Sequence, residues 1–300
     1  MMNTLKKYFQ KAGGKDFVKK LWHNHILCYS FFMFLALPKS RLGLEILMHC
    51  IEYKIFKRLK RKFKKIINQS DSKQITTHSN KTVWFCWLQG IENAPELVKS
   101  NFNKIKLYYS DYNIVVITSE NFAQYTDIPD FIVKKWKKGI ITHTHFSDIL
   151  RTWLLVKNGG VWIDSTVLAT AKVPEDIASA PFFLFRTLKP GDMGKRINVS
   201  SWFIQSVENN PVLLLVQNLL SEYWKKHNYL CDYFLFHIFL EIALEKYDNI
   251  TTLIPKYSNE PPHVLQYELR SDIDSKRLND ILKLCFVHKL TNKATIPSIL

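Results

Sequence analysis

The sequence predicts an α/β fold: a Rossmann-like, mainly parallel mixed sheet flanked by helices, preceded by a helical, basic N-terminal extension. Three observations lead there. Short β-rich runs alternate with helical runs from Thr82 onward, the order that builds a parallel sheet covered by helices. Gly159-Gly160 turns a helical run into the apolar strand Val161-Trp162-Ile163, which ends on the carboxylate of Asp164. The basic residues crowd into positions 1–67, which hold sixteen Lys or Arg against Asp16, Glu45 and Glu52.

Beyond residue 67 the charges nearly balance, so +13 of the net +16 belongs to the N-terminal segment. At 300 residues and 47% hydrophobic, the chain can bury a full core as one large domain or one plus an appendage. Its five cysteines are scattered and form no C-x-x-C pair, which fits a reducing compartment and gives no disulfide or zinc framework. His23-x-His25 and His143-x-His145 have metal-pair spacing, yet no cysteine or acidic cluster completes either. The apolar run Ile26–Leu37 falls short of the roughly 20 residues a bilayer-spanning helix needs. It also lacks a cleavage site for export.

The elements follow in order. Ile46, Leu47, Cys50, Ile51, Ile55, Phe56 and Leu59 recur at helical spacing and lead into Lys57-Arg58-Leu59-Lys60-Arg61-Lys62-Phe63-Lys64-Lys65. An aromatic patch beside a cationic helix suits an anionic membrane surface, where each basic residue contributes about 1 kcal/mol. Packing of a solvated basic helix on the rest of the protein is the plainer reading. Polar, aperiodic residues 68–80 predict a linker, dividing the chain into 1–67, 68–80 and 81–300. Then come a strand at Thr82–Leu88, a helix at Ala94–Tyr109 capped by Asn93, a strand at Asn113–Thr118 and a helix at Asp130–Lys138 closed by Gly139. A helix capped by Ser147 and the Val161 strand complete the first half. The second half predicts a strand at Phe182–Arg186, helices at Pro211–Lys226 and Asp232–Leu244, and a strand at Leu284–Lys289.

The chemistry concentrates in Ser147-Asp148-Ile149-Leu150-Arg151 and Gly159 to Thr166. Asp148 and Arg151 stand three apart on a helix and can face one ligand, or simply pair with each other. Asp164 arrives at the carboxyl end of a strand, where open α/β sheets bind ligands. This layout suits a nucleotide diphosphate held through a carboxylate-bound divalent metal, Mn²⁺ or Mg²⁺. No G-x-S-x-G elbow, P-loop or G-x-G-x-x-G loop is present, which argues against hydrolase, NTPase and dinucleotide-dependent readings.

The segment Ser147-Asp148-x-x-Arg151 … Gly159-Gly160-x-Trp162-x-Asp164 resembles the glycosyltransferases with a DXD sugar-nucleotide motif, the group that includes the large clostridial toxins. It is most similar to their capsular polysaccharide synthesis branch. Trp84-Phe85-Cys86-Trp87-Leu88-Gln89-Gly90, Asp232-Tyr233-Phe234 and His288-Lys289-Leu290-Thr291 extend the likeness over roughly residues 80 to 291. The resemblance implies a GT-A fold and places Asp148, Arg151 and Gly160 at the donor. It implies that Trp84, Trp87 and Gln89 line the base site, although tryptophans in a strand are commonly core. Ser200 and Ser201 would border the donor sugar. Asp232 would touch that sugar, or serve only as a dipole partner at a helix start. The third motif position is Thr166 rather than Asp, a D-x-T departure that removes a formal charge from the metal site. The resemblance offers His288 as the ligand that completes Asp164 and Thr166, while Lys289 could instead screen the diphosphate.

No residue stands out as a catalytic base, and the resemblance implies retention of configuration. The expected function is transfer of a hexose from a nucleotide sugar, UDP-linked, to a lipid-linked saccharide in surface-polysaccharide assembly. The expected setting is a bacterial, membrane-associated enzyme on the cytoplasmic face. Rival readings are a toxin-like transferase acting on protein, an inactive scaffold, and a nucleic-acid-binding protein. The last is disfavoured because the charge is confined to one end.

Overall fold

The computed structural model describes residues 14–70, 80–188 and 197–291. Its strands are β1 (Thr82–Cys86), β2 (Asn113–Ile117), β3 (Gly160–Ile163), β4 (Val167–Ala169), β5 (Phe182–Arg186), β6 (Val199–Ser206) and β7 (Val287–Lys289). Helices of six residues or more are α1 (Lys15–His23), α2 (Leu27–Ala36), α3 (Arg41–Lys62), α4 (Lys64–Gln69), α5 (Glu96–Tyr108), α6 (Asp130–Lys137), α7 (His143–Asn158), α8 (Pro211–Lys226), α9 (Leu235–Lys246) and α10 (Ser275–Leu282).

Five strands form a mixed sheet in the order β2-β1-β3-β6-β5, and β4 pairs with β7 in a separate two-stranded sheet. β1 runs parallel to both β2 and β3, while β6 is antiparallel to both β3 and β5. Only β6 is therefore reversed, and the other four strands share one direction. All four residues of β3 are buried, as a strand paired on both sides and covered on both faces requires. β6 is buried along its whole length, so its sequence shows no period-two alternation that would mark a strand.

Several helix starts differ from the sequence expectation. α7 begins at His143, because the Thr142 hydroxyl accepts from the His145 amide at 3.2 Å and caps it there. Ser147 and Asp148 therefore lie a turn inside the helix. α5 starts at Glu96 after Pro95, and Asn93 sends its side-chain amide to the Gln89 carbonyl instead of capping. α9 starts at Leu235, three residues after Asp232.

The N-terminal helices share the core of the rest. Ile51, Ile55, Phe56, Leu59 and Phe63 are buried in the same apolar cluster as Val83 and Trp162. Phe63 meets Phe239 of α9 edge-to-face at 5.5 Å. Each fully buried side chain of this kind contributes roughly 1.5–3 kcal/mol, so the apolar face of α3 is committed to protein. The expected membrane association of this segment is corrected accordingly: among the described residues no helix is long and apolar enough to cross a membrane. Lys60 of the basic helix pairs with Glu245, and Lys62 lies 2.7 Å from the His227 ring.

Candidate donor site

The carboxyl ends of β1 and β3, the amino end of β6 and the tip of β7 meet at one edge. Asp164 leaves β3 there. Its amide donates to the Trp202 carbonyl of β6 at 2.9 Å, and its carbonyl accepts from the Val167 amide at 2.9 Å. From α5, Asn101 donates to the Ser165 carbonyl at 2.9 Å and steadies the turn. The strand itself is placed by glycine. Gly160 has φ +95°, and a Cβ there would lie 2.4 Å from the Thr82 carbonyl oxygen of β1.

The Asp164 carboxylate is fully engaged. Oδ1 accepts from Trp162 Nε1 at 2.8 Å and from Arg151 at 3.1 Å, while Lys289 Nζ lies 3.3 Å from Oδ2. Burial alone would raise its pKa, but Arg151, Lys289 and these hydrogen bonds outweigh burial and hold it below the usual value. Asp164 is therefore an anion with two cations on it. Cys86, at the end of β1 nearby, is the opposite case: burial pushes its thiol up to about 12, so it stands as a neutral thiol.

Arg151 is only 4% exposed. Besides Asp164 it reaches Asp148 Oδ1 at 3.3 Å and donates to the Ser201 carbonyl at 2.7 Å and the Ser147 hydroxyl at 3.4 Å. Its guanidinium lies over the Trp162 ring, 5.0 Å from the centroid. Asp148 thus acts through Arg151 and His145, whose Nδ1 lies 3.5 Å from Asp148 Oδ2. Its expected place in a first helical turn is corrected by the earlier start of α7.

β7 decides which of two neighbouring residues faces this centre. Val167 pairs with Lys289 and Leu168 with His288, and successive side chains on a strand point to opposite faces. Lys289 faces Asp164 and hydrogen-bonds the Thr166 hydroxyl. His288 is fully buried on the other face, with Nε2 3.3 Å from the Leu282 carbonyl and a pKa lowered by burial. The expectation that His288 completes a metal shell with Asp164 and Thr166 is corrected by this strand parity. The oxygens left for a divalent cation, Asp164 Oδ2 and Thr166 Oγ1, are the two that Lys289 binds. Among the described residues no group of three His, Cys, Asp or Glu side chains gathers as a metal-binding set. The two side-chain oxygens that a Mn²⁺ or Mg²⁺ ion would take at this position are occupied by the Lys289 ammonium.

The remaining candidates divide. Trp84 is 3% exposed and spends its indole N–H on the Gly159 carbonyl at 2.8 Å, so it braces the turn and has no face open for stacking. Trp87 and Gln89 follow β1 at its carboxyl end, with Trp87 half-buried and Gln89 exposed. Ser200 and Ser201 are buried on β6. Ser200 donates to Asn259 Oδ1, which also accepts from Trp202 Nε1 at 3.2 Å. Asp232 is buried, with Oδ1 accepting from the Phe234 amide at 2.8 Å and Oδ2 paired with Lys20 Nζ at 2.7 Å. Its carboxylate is thus occupied by the N-terminal segment rather than presented to a ligand.

One residue at the centre escaped the sequence. His237 of α9 lies within electrostatic reach of Asp148, Arg151, Asp164 and Asp232, and its Nδ1 is buried without a hydrogen-bond partner among the described residues. Burial, with Arg151 assisting, pushes its pKa down to about 4 against the pull of the three carboxylates. The one available signal was its placement just past Asp232-Tyr233-Phe234 in an otherwise apolar run.

Residues 47–299 match the model of a family described as "Capsular polysaccharide synthesis protein", and the chain belongs to that family. The match begins inside α3, so it takes in the basic helix as well as the sheet. No curated protein matches the sequence. Among solved structures, the chain is similar to one described as "PaToxG Glycosyltransferase", at 15% identity and a TM-score of 0.39 over 83% of this chain and 92% of that one. The mixed α/β sheet flanked by helices is a generic Rossmann-like arrangement.

Proposed function

We propose that the protein is a glycosyltransferase of the GT-A type that moves a hexose from a nucleotide sugar, UDP-linked, to a saccharide acceptor of surface-polysaccharide assembly. The supporting observation is the Arg151–Asp164–Lys289 arrangement at the carboxyl edge of the sheet, where a strand-end carboxylate and two fixed cations converge on one position. The family description supports the acceptor class.

In this reading Trp87 and Gln89 border the base at the end of β1. Arg151, fixed by Asp148 and the Ser201 carbonyl, orients Asp164 and with it the donor sugar. Ser200 of β6, hydrogen-bonded to Asn259, forms one wall of the sugar site, while Ser201 contributes its carbonyl to hold Arg151. Asp232 and Lys20 act as positioning residues that fix the start of α9 and thereby His237. The bond from the anomeric carbon to the diphosphate breaks, the bond to the acceptor oxygen forms on the same face, and the leaving phosphate takes the acceptor proton. Preorganised charge at such a site typically accounts for 100-fold or more in rate per group.

The test is donor turnover by the full chain on a panel of UDP-, GDP- and dTDP-hexoses, with saccharide and protein acceptors supplied in separate arms. Asp164→Asn should retain the fold and lose at least about 100-fold of turnover. Turnover raised by protein and not by saccharide would move the acceptor to protein side chains. Wild-type-like turnover in Asp164→Asn would remove the site assignment.

A further inference from the structure

We propose that Lys289 is the cation that neutralises the donor's diphosphate, so that this site binds a nucleoside diphosphate without a divalent metal. The inference rests on the donor-site reading above and deepens it. Lys289 Nζ bridges Asp164 Oδ2 and the Thr166 hydroxyl, the i and i+2 oxygens at the end of β3. A second carboxylate there would favour a metal; a neutral hydroxyl still accepts a hydrogen bond from an ammonium and adds no charge to attract a cation. The D-x-T sequence and the lysine are therefore one complementary set.

The lysine is held in place rather than left to sample the surface. Pairing of β7 with β4 fixes its side, and the Leu290 amide donates to the Thr166 carbonyl at 2.8 Å, tying its strand to the D-x-T turn. The side chain keeps 20% exposure, compared with 5% for that of Arg151, so Lys289 is the more accessible of the two cations to a ligand. A divalent ion on the same two oxygens would stand beside both an ammonium and a guanidinium, a repulsive position. An anionic diphosphate approaching that edge would instead meet an ammonium preorganised by its two oxygen partners.

Calorimetric binding of UDP, GDP, CDP, ADP and dTDP to the full chain tests this, in EDTA and in Mn²⁺. Expected are a dissociation constant that is the same within about twofold in both conditions, weakening of about tenfold or more in Lys289→Gln, and near-complete retention in Lys289→Arg. Near-UV circular dichroism establishes that each variant is folded, and any variant that is not is replaced by Thr166→Val, which should weaken metal-free binding by removing the lysine's hydroxyl partner. Binding that needs Mn²⁺, or that is unchanged in Lys289→Gln, overturns the inference while leaving the donor site standing. An arginine variant as weak as the glutamine one would make Lys289 a packing element and overturn it too. No binding of any nucleoside diphosphate in either condition overturns the donor-site reading along with it.

Discussion

Trp224 donates its indole N–H to His145 Nε2 at 3.1 Å, deep in the interface between α8 and α7. That bond fixes the imidazole tautomer: Nε2 is the acceptor, so the ring proton sits on Nδ1 and faces Asp148. Trp224 thereby supports Arg151 through two intermediaries, without touching it.

Replacing Trp224 with Phe leaves the ring volume largely filled but removes that donor. A buried acceptor without a partner costs about 1–3 kcal/mol, which a urea titration would read as a lower midpoint. Nitrogen chemical shifts of the His145 imidazole should show the proton redistributing between the two nitrogens. An unchanged tautomer would separate His145 from Asp148 and break this chain of support.

His237 gives the fold a defined acid sensitivity. Its folded pKa, about 4, lies below its ordinary 6.5. The unfolded chain takes up a proton as pH falls through 6.5, while the folded chain resists until near 4. Stability is therefore unaffected by this group above the upper value and is lost progressively between the two, by up to about 1 kcal/mol per pH unit. His237→Gln should flatten that decline, measured as urea midpoints at about pH 7.5 and about pH 4.5. Asp164 acts lower: its carboxylate stabilises the fold above 3.8, and that contribution is lost only as pH drops through its depressed folded value. Identical pH slopes in wild type and His237→Gln would contradict the assignment.

The Lys20–Asp232 pair ties α1 to the segment that opens α9, and Asn24 adds a hydrogen bond to the Cys231 carbonyl at 2.8 Å. Lys20→Met strands a carboxylate that is 1% exposed, at a cost of about 3–5 kcal/mol. The double variant Lys20→Met/Asp232→Asn should recover most of that loss, since the orphaned charge is gone. Thermal unfolding of the four proteins in the cycle provides the coupling energy. Additive losses would show that α1 docks without help from this pair.

What could be read from the sequence was local. Asp164 and Arg151 stand out because a glycine turn, a short apolar strand and a helical i,i+3 pair are each written within a few residues. The strands Phe182–Arg186 and Asn113–Ile117 and the helix Pro211–Lys226 follow from the same short-range pattern. What escaped depends on partners far along the chain. Strand β6 is uniformly buried and so has no alternation to detect. The choice between His288 and Lys289 is a question of parity on a three-residue strand, settled by pairing with β4, which the sequence does not mark. Ser147 read as a cap because nothing local reveals that Thr142 caps first. The N-terminal helix carried two surfaces, cationic and apolar, and the pattern did not say that the apolar one meets Phe239.

The contact between Lys289 and Asp164 joins residues 125 positions apart. During synthesis, Arg151 and Asp164 emerge together, but the ammonium that completes their environment is made only after β5, β6, α8 and α9 have been added. A nascent chain that stalls after β6 leaves the carboxylate with Arg151 as its cation and the sheet without Leu213, Phe236 and Phe239, which share its core. Completion of this arrangement is therefore a late, non-local event, since loop-closure entropy must be met before so distant a contact forms. Translation arrest or early proteolysis would yield a product that lacks both the second cation and the helices that cover the sheet.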